Sequence, residues 1–251
     1  MAHTGRVTEV VDPTAAPGAS PEAPKKARRK ITFWIGLGLL LVGVGILAWL
    51  AWEIWGTNWI SQREERHEVT LFERGGGPPA LLEVPRFGSD YVVPINDMPA
   101  KGDPSDVLAK GVGHFTATGP ITNGKAATIE PGQVGNYALA GHRITHGQPF
   151  SNLPDLRPGD KVYVITHKIT YVYVMDTNPN QLVVPFTAGW VLGMDPVNPN
   201  GGPQAIQGPH ERIITLTTCS ELFHTDNRLV AFGHLLTTYK TSQTDPTKLL
   251  E

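Results

Sequence analysis

Residues 31–52 read ITFWIGLGLLLVGVGILAWLAW, 22 consecutive positions without a charge. In hydrocarbon every backbone N–H and C=O must be satisfied internally, and a single segment achieves that only as an α-helix. At about 1.5 Å per residue such a helix is about 33 Å long, against a hydrocarbon core of about 30 Å. Trp34 near one end and Trp49, Trp52 and Trp55 near the other suit the two membrane interfaces. Residues 1–30 hold six Lys or Arg and three acids, a net of +3, and five of those bases (Lys25, Lys26, Arg28, Arg29, Lys30) directly precede the run. Positive charge on the cytoplasmic side then predicts an amino terminus inside and residues 57–251 outside. A cleavable signal peptide would have a shorter apolar core closed by a small-residue cleavage site. The segment therefore reads as an uncleaved single-pass anchor in the cell membrane.

The rest of the chain divides around this span. Residues 1–30 mix Ala, Pro, Gly, Ser and charge with few bulky apolar groups, the composition of a disordered cytoplasmic tail. Residues 53–80 read as a stalk or linker, with a charged stretch at 60–72 of helical character ended by Gly75-Gly76-Gly77-Pro78-Pro79. Residues 81–240 read as one strand-rich domain, and 241–251 as a polar carboxy-terminal tail. Strands are predicted at 81–84, 91–95, 126–129, 137–140, 161–166, 169–176, 213–219 and 228–238, separated by Pro-Gly, Asn-Gly, Asn-Pro and Gly-Gly breaks. Many short strands with Gly and Pro turns point to a closed or nearly closed antiparallel barrel. The stretch 179–209 is long and irregular, the kind of loop that serves function in a compact domain. After Trp55 there are 15 basic and 19 acidic residues, a net of −4, and no basic patch interleaved with aromatics. That excludes nucleic acid as a partner.

Cys219 is the one cysteine in 251 residues, so no intramolecular disulfide staples the fold. By itself it fits a small buried hydrophobe. Its setting suggests more. In Thr215-Leu216-Thr217-Thr218-Cys219, alternation puts Thr215, Thr217 and Cys219 on one face of a strand. A short loop then returns the chain as Arg228-Leu229-Val230, bringing a guanidinium beside the sulfur. There it favours thiolate over thiol and can donate to a developing oxyanion. Of nine histidines, His142 ends an apolar strand with small neighbours. Imidazole, with an ordinary pKa of about 6.5, can take the thiol proton and return it to a leaving amine. Sulfur, imidazole and guanidinium are expected to converge at one mouth of the barrel. The spacing alone leaves a chance assembly of three residues open.

TLTTC at 215–219, followed by Arg228 in RLVAFGHL, resembles the TLxTC…R signature of sortases, and LAGHR at 139–143 is similar to their catalytic-histidine strand. GVGHF at 111–115, PGQVGNYALAGHR at 131–143 and LRPGDKV at 156–162 resemble class E sortases of Gram-positive cell surfaces most. The resemblance covers about residues 90–240. It implies an all-β, closed eight-stranded sortase-type β-barrel with short helices, preceded by the one transmembrane helix. It also implies catalytic roles for His142, Cys219 and Arg228, with Thr218 and Phe115 binding substrate. The implied reaction is attack of the cysteine on the Thr–Gly amide of a sorting signal, LAxTG-like for class E and LPxTG-like more generally. The resulting thioacyl intermediate passes to an amine of a lipid-linked peptidoglycan precursor, joining a secreted surface protein to the wall. The long 179–209 stretch then corresponds to a substrate-covering loop. Phe115 stands where class E members often carry Tyr, and Ser220-Glu221 stands where Asn-Pro follows the cysteine.

Beside these readings stand plainer ones. His114, His146, His167, His210, His224 and His234 are scattered without metal-ligand pairing and read as structural or exposed, with His146 the one best placed to reach the cleft. No paired carboxylates, Cys-rich cluster, phosphate-cradling loop or calcium-ligand ladder is seen, so no metal and no cofactor is expected. An L,D-transpeptidase would place its cysteine after a Ser-His-Gly type motif, unlike Thr217-Thr218-Cys219. The alternative function is a catalytically inactive, membrane-tethered β-domain for adhesion or scaffolding.

Overall fold

The computed structural model describes residues 25–52, 56–99, 104–116, 129–220 and 226–241. Helix α1 (Lys25–Ala51) contains the apolar run, of which 31–51 is long and apolar enough to cross a membrane and buries none of its side chains. Of the expected tails, residues 1–24 and 242–251 lie outside the described residues, whereas Lys25–Lys30, read as the end of the amino-terminal tail, belong to α1; the predicted strand at 126–129 also lies outside them apart from Ile129.

The second unit opens with helix α2 (Thr57–Glu73), within the stretch read as a stalk. Strands β1 (Ala80–Glu83) and β2 (Val92–Asp97) follow, then the single turn α3 (Ser105–Leu108), β3 (Val112–His114) and β4 (Gly135–Ala140). The chain continues through β5 (Lys161–Thr166), β6 (Ile169–Met175), β7 (Val183–Pro185), β8 (Arg212–Cys219) and β9 (Asn227–Lys240). The strand order is β6-β5-β1-β2-β3-β4-β8-β9, and β9 pairs back onto β6 to close an eight-stranded barrel, with β7 added on β9. Two pairings, β2–β3 and β4–β8, are parallel, which corrects the expected antiparallel barrel. A parallel neighbour requires a crossover connection, and alternation within a strand carries no information about its neighbour's direction.

Closure rests on β9. Along one edge it pairs with β8, and along the other first with β7 and then with β6. Between those two partners the Phe232 amide donates to Thr177 Oγ1 at 2.8 Å and Val230 N donates to the Leu182 carbonyl at 3.1 Å. Gly233 permits the tight β6–β9 approach, since a Cβ there would stand 2.6 Å from the Val174 carbonyl oxygen. Opposite Val172/Tyr173 the register skips Leu236, an extra residue on β9 that bends β9 into the closed sheet as a β-bulge.

The period-2 pattern sorts the strands' apolar residues into an inside and two covered outsides. Leu82, Ile95, Leu139, Val164, Tyr173, Ile214, Leu216 and Ala231 fill the barrel. The residues one step out of phase, Leu81, Ile165 and Val172, meet Phe72 of α2 on the outer face. Around the sheet, Ala138, Ile213, Val230 and Phe232 are covered by Leu182, Val184, Val191 and Leu192 from the 179–209 stretch. Each fully buried Leu or Ile contributes about 1.5–3 kcal/mol of apolar transfer free energy. The stretch 179–209 is thus folded over the barrel, with 3-10 turns at Pro179–Gln181 and Gly189–Leu192 and β7 between them.

Candidate active site

Strands β4 and β8 run parallel with Ala140 opposite Thr217. Because their directions agree, the residues that leave β4, Gly141 and His142, emerge beside Thr218 and Cys219. Two hydrogen bonds fix this junction: Gly141 N donates to the Thr217 carbonyl at 3.2 Å, and buried Thr218 Oγ1 donates to the Gly141 carbonyl at 2.7 Å. The hydroxyl of Thr218 is therefore committed to the backbone one residue before His142. On the other edge of β8, Cys219 is the register partner of Arg228 on β9. Arg143 Nη1 donates to the carbonyls of Cys219 and Ser220, bracing the end of β8.

Cys219, His142, Arg228, Thr218 and Phe115 all line one cavity of about 210 Å³, open to solvent. Its remaining wall is largely apolar: Met98 and Leu108 from the β2–β3 region, and Val184, Phe186 and Leu192 from the folded 179–209 stretch. The cavity continues the apolar cluster beneath that stretch, and Cys219 shares the phase of Ile213, not of barrel-filling Ile214 and Leu216. The site therefore lies on the barrel's outer face at the strand ends, not in a barrel mouth. Covering segments wall off that face, whereas side chains fill the interior.

Burial, and secondarily the neighbouring His146, pushes the His142 pKa down to about 4. Desolvation disfavours the imidazolium. The two rings stack with centroids 4.8 Å apart and planes at 29°. At neutral pH His142 is thus an uncharged imidazole, able to accept a proton. A thiol, a neutral imidazole and a guanidinium around one largely apolar cavity can carry nucleophilic acyl transfer. Among the described residues no three His, Cys, Asp or Glu side chains gather as a metal site.

Three supporting residues escape a reading of types and spacings. Asn136, fully buried, donates from Nδ2 to the carbonyls of Val191 and Gly193, both at 3.0 Å, and accepts from Thr215 Oγ1 at 2.7 Å. It ties the cavity wall to β4, and Thr215 is more than a strand former. Arg143 sits inside the LAGHR motif with no earlier role. Asn58, on α2, bonds to the loop after His142. A polar residue inside an otherwise apolar strand was the available signal for Asn136; nothing local marks the other two.

The sequence and fold match known proteins. The family model described as "Sortase domain" matches residues 82–236. Sortase SrtE1 of Streptomyces coelicolor is 32% identical over 233 residues, covering 86% of this chain and 60% of that protein, so the chain spans under two thirds of that relative's length. A crystal structure of sortase E1 from Streptomyces coelicolor is 34% identical, covering 69% of this chain and 96% of that one, with a TM-score of 0.53. The sortase E structure from Streptomyces avermitilis is 32% identical over 67% of this chain and 94% of its own, with a TM-score of 0.52. A domain match over residues 82–236, more than half of the chain, places this chain in the sortase family.

Proposed function

We propose that this sortase cleaves the Thr–Gly bond of an LAxTG- or LPxTG-like sorting signal through a thioacyl intermediate on Cys219. In this reading it transfers the secreted surface protein to an amine of a lipid-linked peptidoglycan precursor. The observation that carries the reading is the placement of Cys219 opposite Arg228 in the β8–β9 register, with His142 on the same cavity. The sortase E1 structure holds a tripeptide in its active site, which supports a peptide as the occupant here.

The chemistry follows from the three groups. Neutral His142 takes the Sγ proton as the sulfur attacks the threonine carbonyl carbon, and negative charge moves to the carbonyl oxygen. The Arg228 guanidinium donates to that oxyanion. Collapse breaks the C–N bond; His142 hands its proton to the departing glycine nitrogen, leaving a thioester on Cys219. The acceptor amine attacks the thioester, its proton passes to His142, and the sulfur leaves and is reprotonated. Phe115 and Thr218 shape the subsite beside the scissile bond, and the apolar wall fits the leucine and alanine or proline side chains of the signal. Residue blocks 1–30, 31–52, 81–240 and 241–251 serve as cytoplasmic tail, membrane helix, catalytic barrel and outer tail, and 53–80 connects the membrane helix to the barrel while packing α2 against it, with the barrel outside the cell.

Full-length protein in detergent, incubated with LAxTG and LPxTG peptides, tests the reading by mass spectrometry. The expected result is an acyl adduct on Cys219 that hydroxylamine or an added amine releases, absent in Cys219→Ala. A folded wild-type sample that forms no adduct with either peptide refutes it and favours an inactive tethered β-domain.

A further inference from the structure

The loop that leaves β4 with His142 is held from outside the barrel. Asn58, buried in the first turn of α2, donates from Nδ2 to the Ile144 carbonyl at 3.2 Å and accepts the Gly147 N–H at Oδ1 at 3.1 Å. One side chain thus grips the loop on both sides of His146. The loop is one that needs holding. His146 and Gln148, with φ of 52° and 57°, are the described non-glycine residues in the left-handed region, and Gly147 between them has φ 80°. Three successive left-handed residues are disfavoured for an L-residue chain unless surrounding contacts impose them. The backbone at Gly147 lies directly on α2, since a Cβ there would stand 2.2 Å from Glu65 Oε1.

The inner end of the loop is fixed separately, by Thr217 and Thr218 at Gly141. Its outer end makes the Gln148 N to Thr145, Ser151 N to Gln148 and Phe150 N to His142 carbonyl bonds, at 3.1, 3.0 and 3.0 Å, and the Tyr91 hydroxyl donates to the Pro149 carbonyl, so Asn58 is the side chain that holds the 144–147 segment between them. Between these ends the His146 ring stacks on the His142 ring. The contacts therefore run unbroken from Asn58 through the 144–147 backbone and His146 to the imidazole that faces the cavity.

We propose that Asn58 is a positioning residue for the transpeptidation: by fixing Ile144 and Gly147 it holds His146 against His142 and sets the orientation in which His142 exchanges protons with Cys219. The role assigned to His142 rests on the function proposed above. Helix α2 then belongs to the working enzyme, although it precedes the residues 82–236 that match the Sortase domain.

The test uses the full-length chain in detergent with Asn58→Leu, nearly isosteric and without either hydrogen bond, and Asn58→Ser as a milder change. Phe72→Ala is the control. It removes the buried apolar anchor of α2, stacked on His167 at 4.1 Å, without touching the histidine loop. In Asn58→Leu, kcat on an LAxTG peptide falls roughly ten- to hundredfold, as for a catalytic group misplaced by about an ångström. KM stays within about twofold, and Asn58→Ser lies between. Followed by NMR of labelled histidines, the His142 titration midpoint rises from about 4 toward 6.5 as burial and stacking loosen. Phe72→Ala lowers the thermal midpoint but leaves both kcat and that titration in place. An Asn58→Leu enzyme with unchanged kcat and His142 titration overturns the proposal, as does a Phe72→Ala enzyme with the same kinetic defect. If the wild type turns over no peptide, the proposed function fails, and the His142 titration alone still decides for or against Asn58.

Discussion

Glu65 carries the sharpest prediction about stability. It is buried on α2 against the histidine loop, its Oε1 has no hydrogen-bond partner, and burial raises its pKa from 4.5 to about 7 despite the opposing pull of Arg66. The unfolded chain therefore releases this proton near pH 4.5, and the folded chain releases it only near 7. Between those values the folded protein binds a proton that the unfolded chain has lost, so raising the pH lowers stability. The loss is absent below 4.5 and complete above 7. Each pH unit corresponds to about 1.4 kcal/mol, so the full penalty at pH 8 is about 3 kcal/mol. Glu65→Gln keeps the shape and removes the ionisation. Its thermal midpoint should match wild type at pH 4.5 and exceed it by roughly 6–12 °C at pH 8, with the separation opening between. Comparing variant with wild type at each pH cancels His142, whose depressed pKa acts in the opposite sense. A constant difference from pH 4.5 to 8 refutes the reasoning.

Two further perturbations address the cavity. In the proposed reaction His142 acts as base and must be neutral; with its pKa near 4, kcat/KM should stay level on the acid side down to about pH 5. An acid limb centred between 6 and 7 in a stopped assay would rule out the buried, neutral imidazole. Asn136→Ala removes the donor to the Gly193 carbonyl, the shorter of two donors to the Val191 carbonyl and the acceptor of Thr215 Oγ1, and should cost roughly 2–4 kcal/mol by urea unfolding. It should also raise KM for the peptide, as the Gly189–Leu192 wall loosens, and an unchanged KM would detach that wall from substrate binding.

Most of the barrel is legible in the sequence because its strands alternate. The predicted 161–166 coincides with β5, and 213–219 and 228–238 fall within a residue or two of β8 and β9. β3 and β7 went unread, since three-residue strands are too short to show a period. Strand direction was also hidden. Thr215-Leu216-Thr217-Thr218-Cys219 reads identically whether its neighbour runs parallel or antiparallel, and only the fold shows β4 alongside β8. Cys219, His142 and Arg228 could be proposed from chemistry and motif, because each stands at the end of a strand that is itself visible. Asn58 could not. Its buried neighbours on α2, Ser61, Glu65 and Phe72, follow a helical spacing, but three of the four are polar, and a polar stripe reads as a solvated face until the loop it covers is seen.

The parallel pairing of β4 with β8 has a consequence for how the enzyme comes into being. Its two halves are separated by more than seventy residues of intervening chain, and the arginine arrives later still on the closing strand. Contacts so distant in sequence form late and slowly. In the proposed reaction, the thiol of a growing polypeptide therefore lacks its guanidinium partner until β9 has been synthesised and has paired with β8.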